Sequence, residues 1–146
     1  MVCIDGDDVA DYGKVKMHVP KGCIKKTGMR NLLERVNDLY FCDFFIGLGS
    51  GLSWLAWALE KPVVLIAGFS LENCEFKTPY RVINKNVCHG CYGKRGSMND
   101  PFYCPEHYGT SRQHECSREI TFEMVKEKIT KLISSSSRDP QPSADQ

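Results

Sequence analysis

One unit of the sequence constrains the fold more than any other, because two apolar runs flank a glycine turn and a helix-forming segment. The first run, DFFIG (43–47), leads into LGSG and LSWLAWALE, and a Lys-Pro pair then precedes the second run, VVLIAG. Runs that are apolar throughout are typical of strands covered on both faces of a parallel sheet. The order strand, turn, helix, strand therefore predicts a short right-handed crossover and an α/β fold.

Weaker patterns predict the remaining elements. VCI (2–4) and VKMHVPKG indicate short extended pieces, and the acidic DGDDVADYGK between them indicates a loop. Apolar residues at helical spacing predict a helix over 28–40, with Thr27 as its N-cap, and a closing helix over 120–133. PYRVIN (79–84) predicts one more strand, and the Ser- and Pro-rich end of the chain predicts a disordered tail.

The charge balance argues against two classes of partner. The 146 residues carry 19 basic and 18 acidic side chains, a net charge of +1. This balance gives no electrostatic basis for binding nucleic acid or an anionic membrane. No apolar run approaches the ~18 residues of a membrane span, and the acidic N-terminus lacks the pattern of a secretory signal. We therefore expect a cytoplasmic protein whose thiols stay reduced.

Four of the eight cysteines fall within one 29-residue segment, and these are Cys88, Cys91, Cys104 and Cys116. A C-x2-C pair aims two sulfurs at one ion, and two further cysteines complete a tetrahedral site. The segment has few apolar residues, and a metal would contribute on the order of 10 kcal/mol to ordering it. The spacing leaves zinc and mononuclear iron equally open. Disulfide bonds, a thioredoxin-like redox pair, or a histidine in place of one sulfur are the alternatives.

The glycine turn carries a second candidate site. A strand ends there and a helix begins near Ser50, so free backbone N–H groups and the positive end of the helix dipole face outward and can bind a phosphate. Gly49 and Gly51 would let a diphosphate approach the backbone, and Ser50 or Ser53 could add a hydroxyl. The alternative is a turn that only reverses the direction of the chain.

Two further groups of residues have structural interpretations. Trp54 and Trp57 lie three residues apart on one predicted helix and could simply belong to the core. The scattered thiols are interpreted as ordinary buried or half-buried cysteines. They are Cys3, Cys23, Cys42 and Cys74.

The segment FIGLGSGLSWLAWALEKPVVLIAGFS resembles the ADP-heptose-dependent glycosyltransferases of lipopolysaccharide synthesis. Together with EFKTPYRVIN and the cysteine segment, it is more similar still to the bacterial autotransporter heptosyltransferases. The resemblance covers about Cys3 to Ile133 and implies the C-terminal Rossmann-like half of a GT-B glycosyltransferase with a four-cysteine metal finger. Four parts are then expected: a partial nucleotide-sugar-binding domain (1–87), the finger (88–116), a C-terminal helix of the same domain (117–133) and a disordered tail (134–146).

The resemblance also implies roles for individual residues. Ser50 and Gly51 match the diphosphate contacts, whereas Gly49 stands where the wider family has an acidic residue and Trp54 where it has a histidine. The four cysteines match a site for iron that supports folding and assembly into large rings. The implied donor is ADP-heptose, and the implied acceptor is a serine of an autotransporter passenger.

The family's acceptor-binding domain and catalytic base have no counterpart in this sequence, so we assign no catalytic residue and expect the chain to be inactive alone. The first hypothesis is the donor-binding part of a protein O-heptosyltransferase, with one iron per chain (or zinc) and homo-oligomeric assembly. The alternative is a non-catalytic, metal-stabilised oligomerisation or interaction module.

Overall fold

The computed structural model describes residues 1–6, 9–11, 16–92 and 103–136, and of residues 9–11, 16 and 17 it describes the backbone alone. The chain divides into two compact units, Met1–Cys42 and Asp43–Gln146. The segment expected to form one nucleotide-sugar-binding domain therefore contributes to both units. The cysteine segment belongs to the second.

The first unit contains four short strands, β1 (Val2–Cys3), β2 (Val9–Asp11), β3 (Lys16–His18) and β4 (Ile24–Lys25), and one helix, α1 (Leu32–Tyr40). Strand β1 pairs in parallel with β4, and β2 pairs antiparallel with β3. The loop predicted across the acidic segment is wrong at β2. This strand exists because it pairs with β3, and its own composition gives no sign of that partner.

Helix α1 begins later than its apolar spacing predicted. Gly28 has a φ of +94°, which a right-handed helix does not accommodate. The N-cap is Asn31 rather than Thr27, and its side-chain oxygen accepts a hydrogen bond from the Glu34 N–H at 2.8 Å. The left-handed glycine and the asparagine cap together fix where this helix starts.

A buried arginine holds the loops of the first unit together. The Arg35 guanidinium donates hydrogen bonds to the backbone carbonyl oxygens of Lys26 and Gly28, each at 2.7 Å, and of Asp5 at 3.1 Å. A buried charged donor is tolerated when its N–H groups are satisfied in this way. The side chain therefore joins the start of α1 to both preceding loops.

The second unit is built on a parallel sheet in the order β5 (Phe45–Leu48), β6 (Val63–Ile66), β7 (Arg81–Val82). Helix α2 (Gly51–Ala58) connects β5 to β6. The strand–turn–helix–strand unit predicted from the sequence is confirmed. The first three residues of β6 are fully buried, as their apolar run indicated.

Helix α4 (Phe122–Ser136) packs on β6 and β7. Its Leu132 forms a core with Val64 and Val82. The partly buried side chains around this core are Phe44, Ile46, Ile66, Tyr80, Ile120, Met124, Val125 and Ile129. Because the helix continues to Ser136, the disordered tail expected from residue 134 is wrong for its first three residues, and residues 137–146 lie outside the described part.

Two short helical pieces lie in the loops of the second unit. A 3₁₀ turn (Glu72–Cys74) follows β6, and helix α3 (Glu115–Arg118) carries the last cysteine of the finger segment. Across the residues that the structure describes, no helix is both long and apolar enough to span a lipid bilayer.

Candidate functional site

The turn between β5 and α2 lies at the carboxyl edge of the parallel sheet. Ser50 is the N-cap residue of α2 and has an extended backbone (φ −134°, ψ 174°). The residue is exposed, and its hydroxyl accepts no hydrogen bond from the backbone N–H groups of α2, all of which is described. The N–H groups of the first helical turn lack intrahelical acceptors, and the dipole adds partial positive charge. The turn therefore offers an anion both a hydroxyl and backbone donors.

The two glycines of this turn have different surroundings. A Cβ added to Gly51 would meet no described atom within 4 Å. A Cβ added to Gly49 would lie 2.0 Å from Oε1 of Glu75 and 3.5 Å from Oγ of Ser70. A side chain at position 49 would thus have to displace the Glu75 carboxylate, while Gly51 leaves open space for a ligand.

Ser53 supports the turn from inside. It is fully buried, and its hydroxyl donates a hydrogen bond to the backbone carbonyl oxygen of Leu48. This bond joins the first turn of α2 to the end of β5. The predicted diphosphate contact of Ser53 stays a prediction, and in this conformation the hydroxyl is directed to the protein backbone.

A largely buried ion pair that the sequence did not reveal lies beside the turn. Arg81 donates to Oε2 of Glu75, and also to the carbonyl oxygen of Phe76 at 3.3 Å. The second carboxylate oxygen, Oε1, is buried and has no hydrogen-bond partner among the described residues. No spacing in the sequence marks this pair, because tertiary contacts alone bring Glu75 against Gly49.

Trp54 and Trp57 do not lie in the core, so the structural interpretation left open for them does not hold. Their exposed fractions are 42% and 48%. Both pack on Phe76, with ring centroids 5.1 Å and 5.5 Å away, and the Trp57–Phe76 rings are stacked. The outer face of α2 therefore presents partly exposed aromatic surface.

The four cysteines predicted as metal ligands are neighbours in the structure, near enough for their thiols to affect one another's pKa. Cys91, Cys104 and Cys116 are buried and Cys88 is half-buried. Burial and the nearby thiols of the other three cysteines raise the pKa of Cys91 to about 11. Burial, followed by Cys104 and Cys88, likewise raises the pKa of Cys116. A cation would lower the cost of ionising these neighbouring, mostly buried thiols, and the four-sulfur metal site itself stays a prediction.

The remaining cysteines agree with expectation in three of four cases. None of the eight cysteines, all of which lie in the described ranges, forms a disulfide bond. Cys3, Cys23 and Cys42 are half-buried, but Cys74 is exposed. It lies at the end of the 3₁₀ turn after β6, a surface loop whose position composition does not reveal.

Glu115 holds one side of the cysteine loop. Arg112 donates to its carboxylate through Nε at 2.9 Å and Nη2 at 2.7 Å, and the Cys88 backbone N–H donates to Oε1 at 3.0 Å. The bonds from Arg112 have the larger effect and the bond from Cys88 the smaller, and together they lower the pKa of Glu115 to about 2. Nε2 of His107 lies 3.5 Å from Oε1.

Among the described residues, Cys88, His107 and Glu115 form a ligand set in which one ligand atom from each lies within 4.8 Å of the others. The Arg112 guanidinium already pairs with the carboxylate of this set, which makes a metal cation less favourable there. We therefore interpret Glu115 as a support for the loop. Of the other histidines in the segment, His89 is exposed, with Nδ1 2.8 Å from the Val87 carbonyl oxygen.

The cysteine cluster is anchored to the loop that follows β6. The N–H of Gly90 donates to the carbonyl oxygen of Gly68 at 2.8 Å, and the N–H of Tyr92 donates to the carbonyl oxygen of Phe69 at 3.0 Å. A Cβ on Gly68 would lie 2.2 Å from the carbonyl oxygen of Cys116. The loop that follows β6 thus contacts the cysteine cluster through Gly68 and Phe69, and it approaches the glycine turn through Ser70.

Comparison with known proteins gives close relatives, although no protein-family model matches the chain. Autotransporter heptosyltransferase TibC of Escherichia coli O78:H11 (strain H10407 / ETEC) is 51% identical over 136 residues, which are 90% of this chain and 33% of TibC. BAHTCr of Citrobacter rodentium, also an autotransporter heptosyltransferase, is 48% identical over 92% of this chain and 34% of its own. BimC of Burkholderia thailandensis, described as an inactive autotransporter heptosyltransferase, is 40% identical over 90% of this chain and 32% of its own length. The chain spans about a third of the length of these curated relatives.

Solved structures agree with the sequence relatives. The crystal structure of TibC, described as a bacterial iron-containing dodecameric glycosyltransferase, matches with a TM-score of 0.85 at 49% identity. The same protein in complex with ADP-D-β-D-heptose matches with a TM-score of 0.84 at 50% identity. Each match covers 92% of this chain and 36% of the TibC chain.

The α/β sheet, its glycine turn and these relatives define a class, and the chain is a homologue of glycosyltransferases. Within that class its relatives are the autotransporter heptosyltransferases, and it corresponds to their C-terminal part. The resemblance inferred from the turn and the cysteine segment is confirmed.

Proposed function

We propose that the chain is the donor-binding, C-terminal part of a protein O-heptosyltransferase that uses ADP-heptose to modify serines of autotransporter passengers. In this proposal the second unit belongs to the Rossmann-like half of a GT-B fold. The observation that carries it is the glycine turn, where Ser50 and Gly51 start α2 at the carboxyl edge of the sheet. The ADP-D-β-D-heptose complex of a relative about half identical in sequence supports this choice of donor.

The turn's own groups would hold the diphosphate. The first-turn N–H groups of α2 donate to phosphate oxygens, and the Ser50 hydroxyl adds one more donor. Gly51 allows close approach, because nothing described would lie within 4 Å of a Cβ there. Gly49 contributes through its lack of a side chain, and Ser53 through its bond to Leu48.

Transfer to a serine further requires a base within hydrogen-bond reach of the acceptor hydroxyl. The chain spans about a third of its relatives, and we assign none of its residues as this base. We therefore propose that these 146 residues bind the donor but do not transfer the sugar by themselves.

We also propose that Cys88, Cys91, Cys104 and Cys116 bind one metal ion per chain, iron by relationship to TibC and zinc as the alternative. The residues fit this group, because they provide four neighbouring thiols, three of them buried, with raised thiol pKa values at two of them. A metal bound there supplies cross-links that order the loop. Homo-oligomeric assembly and a cytoplasmic location, where thiols stay reduced, belong to the same proposal.

Isothermal titration calorimetry of the purified chain with ADP-D-β-D-heptose, ADP and UDP-glucose tests donor binding. We expect ADP-D-β-D-heptose and ADP to bind more tightly than UDP-glucose. Replacing Ser50 with alanine should weaken their binding several-fold, because one phosphate donor is lost. Equal affinities for all three ligands, or no binding at all, would contradict the proposal.

A second candidate function is a non-catalytic, metal-stabilised interaction module. The exposed aromatic face of Trp54 and Trp57 favours it, as does the relative named as an inactive heptosyltransferase. This candidate predicts one metal per chain, self-association in analytical ultracentrifugation and no heat of binding with any sugar nucleotide. The calorimetry above therefore decides between the two functions.

A further inference from the structure

The Glu75 carboxylate has one oxygen that the protein does not satisfy. The side chain is only 4% exposed, and Arg81 donates to Oε2. The other oxygen, Oε1, is buried without a hydrogen-bond partner within the described part of the chain. Buried polar atoms in folded proteins are nearly always paired, so an unpaired one indicates a place where a donor arrives from elsewhere.

This oxygen lies at the edge of the sheet where the donor-binding turn is built. It stands 2.0 Å from the point that a Cβ of Gly49 would occupy, and the Ser70 hydroxyl is 3.5 Å from the same point. Gly49 and Ser50 are themselves exposed. The carboxylate therefore lies directly beneath the exposed turn, next to the start of α2 where the proposed ligand would bind.

The charges around this oxygen select the kind of donor that it accepts. Arg81 already neutralises the carboxylate, so a second cation gains little there. The carboxylate repels a phosphate group, which instead accepts hydrogen bonds from the N–H groups at the start of α2. A carboxylate oxygen accepts hydrogen bonds only, and a neutral hydroxyl donates one without adding charge. The expected partner is therefore a hydroxyl group of the ligand.

We propose that Glu75 binds a sugar hydroxyl of the sugar nucleotide, with Arg81 as the positioning residue that orients the carboxylate. The assignment rests on the proposed function and adds a recognition residue to the same site. Two parts of the ligand offer such a hydroxyl, the transferred sugar and the ribose. A hydrogen bond to a charged acceptor in a site shielded from water discriminates strongly against ligands that lack the donor.

Calorimetry with Glu75→Gln tests the proposal. We expect the dissociation constant for ADP-D-β-D-heptose to rise about ten-fold, because the amide weakens the acceptor and loses the ion pair with Arg81. A rise for ADP-heptose alone places the hydroxyl on the transferred sugar, and an equal rise for ADP places it on the ribose. Glu72→Gln is the matched control on the same loop, since Glu72 is exposed and pairs only loosely with Lys85 at 3.4 Å.

Wild-type affinity of Glu75→Gln for both ligands would overturn the assignment. If the wild-type chain binds neither ligand, the proposed function fails instead, so the two failures are distinguishable. A second measurement keeps the test valid if the variant does not fold. Wild-type protein titrated with donor analogues that each lack one hydroxyl should lose about ten-fold affinity for one of them, and equal affinity for all of them overturns the proposal.

Discussion

Replacing Gly68 with alanine perturbs the contact that joins the cysteine cluster to the sheet. The new Cβ would lie 2.2 Å from the carbonyl oxygen of Cys116 and 2.9 Å from its carbonyl carbon. Both partners are backbone, so no side-chain rotation relieves the overlap. The Gly68 carbonyl is itself held by the N–H of Gly90 at 2.8 Å, which limits how far this loop can move.

The size of the effect follows from the overlap. Ordinary contact begins near 3.4 Å, so the two segments must separate by about 1 Å. Overpacking of a close-packed interior costs about 1–3 kcal/mol. In a unit of about 100 residues, each kcal/mol lowers Tm by about 4 °C, and we expect a decrease of about 4–12 °C. Because Cys116 is displaced, we also expect faster loss of metal to a chelator.

Differential scanning calorimetry gives the Tm, and competition with a chelator gives the rate of metal release. Gly51→Ala is the matched control in the same unit, because open space surrounds its Cβ and its φ is not left-handed. Its Tm should equal that of the wild type or slightly exceed it, since alanine favours a helix. Gly68→Ala with wild-type Tm and wild-type metal release would refute the contact.

Three further predictions follow from individual contacts. Arg35→Met should destabilise the first unit by roughly 2–4 kcal/mol, because three backbone carbonyls lose a charged donor; unchanged hydrogen-exchange protection there would contradict this. Ser53→Ala should cost about 1 kcal/mol in denaturant unfolding by removing the bond to Leu48, while nucleotide affinity stays within about two-fold. A ten-fold loss of affinity would instead place that hydroxyl on the ligand. The pKa of Glu115 is lowered from 4.5 to about 2 by Arg112 and the Cys88 N–H, so its stabilising contribution is complete above about pH 4.5 and is lost as the pH falls toward 2. Wild-type protein should therefore lose more stability than Glu115→Gln across this window in acid unfolding, and parallel curves would contradict the ion pair.

Local patterns predicted the second unit better than the first. The runs of β5 and β6 are apolar throughout and are separated by glycine and proline, so their own composition predicts two buried strands. Both strands form as expected. In the first unit, β2 forms only because β3 pairs with it across an acidic loop. The start of α1 depends on the left-handed φ of Gly28, which apolar spacing does not encode.

The candidate site divides in the same way. Cysteine spacing singled out four thiols that are neighbours in the structure, because metal-ligand spacing is a local property of a sequence, and their binding of a metal stays a prediction. The supports of that site, Glu115 and Arg112, and the pair Glu75 and Arg81 depend on contacts between separate loops, so the sequence could not reveal them. The exposed face of α2 was missed because a helix that is apolar all round gives no sign of which side is covered.

The most direct test of the four-cysteine site is the metal content of the purified chain, measured by mass spectrometry together with visible absorption. We expect one iron per chain and the strong absorption of a ferric thiolate centre, with both lost in Cys91→Ser. A colourless chain that binds one zinc would support the four-cysteine site and identify its metal as zinc instead of iron. A metal-free chain whose four thiols react freely with an alkylating reagent, while its circular dichroism stays native, would contradict the site.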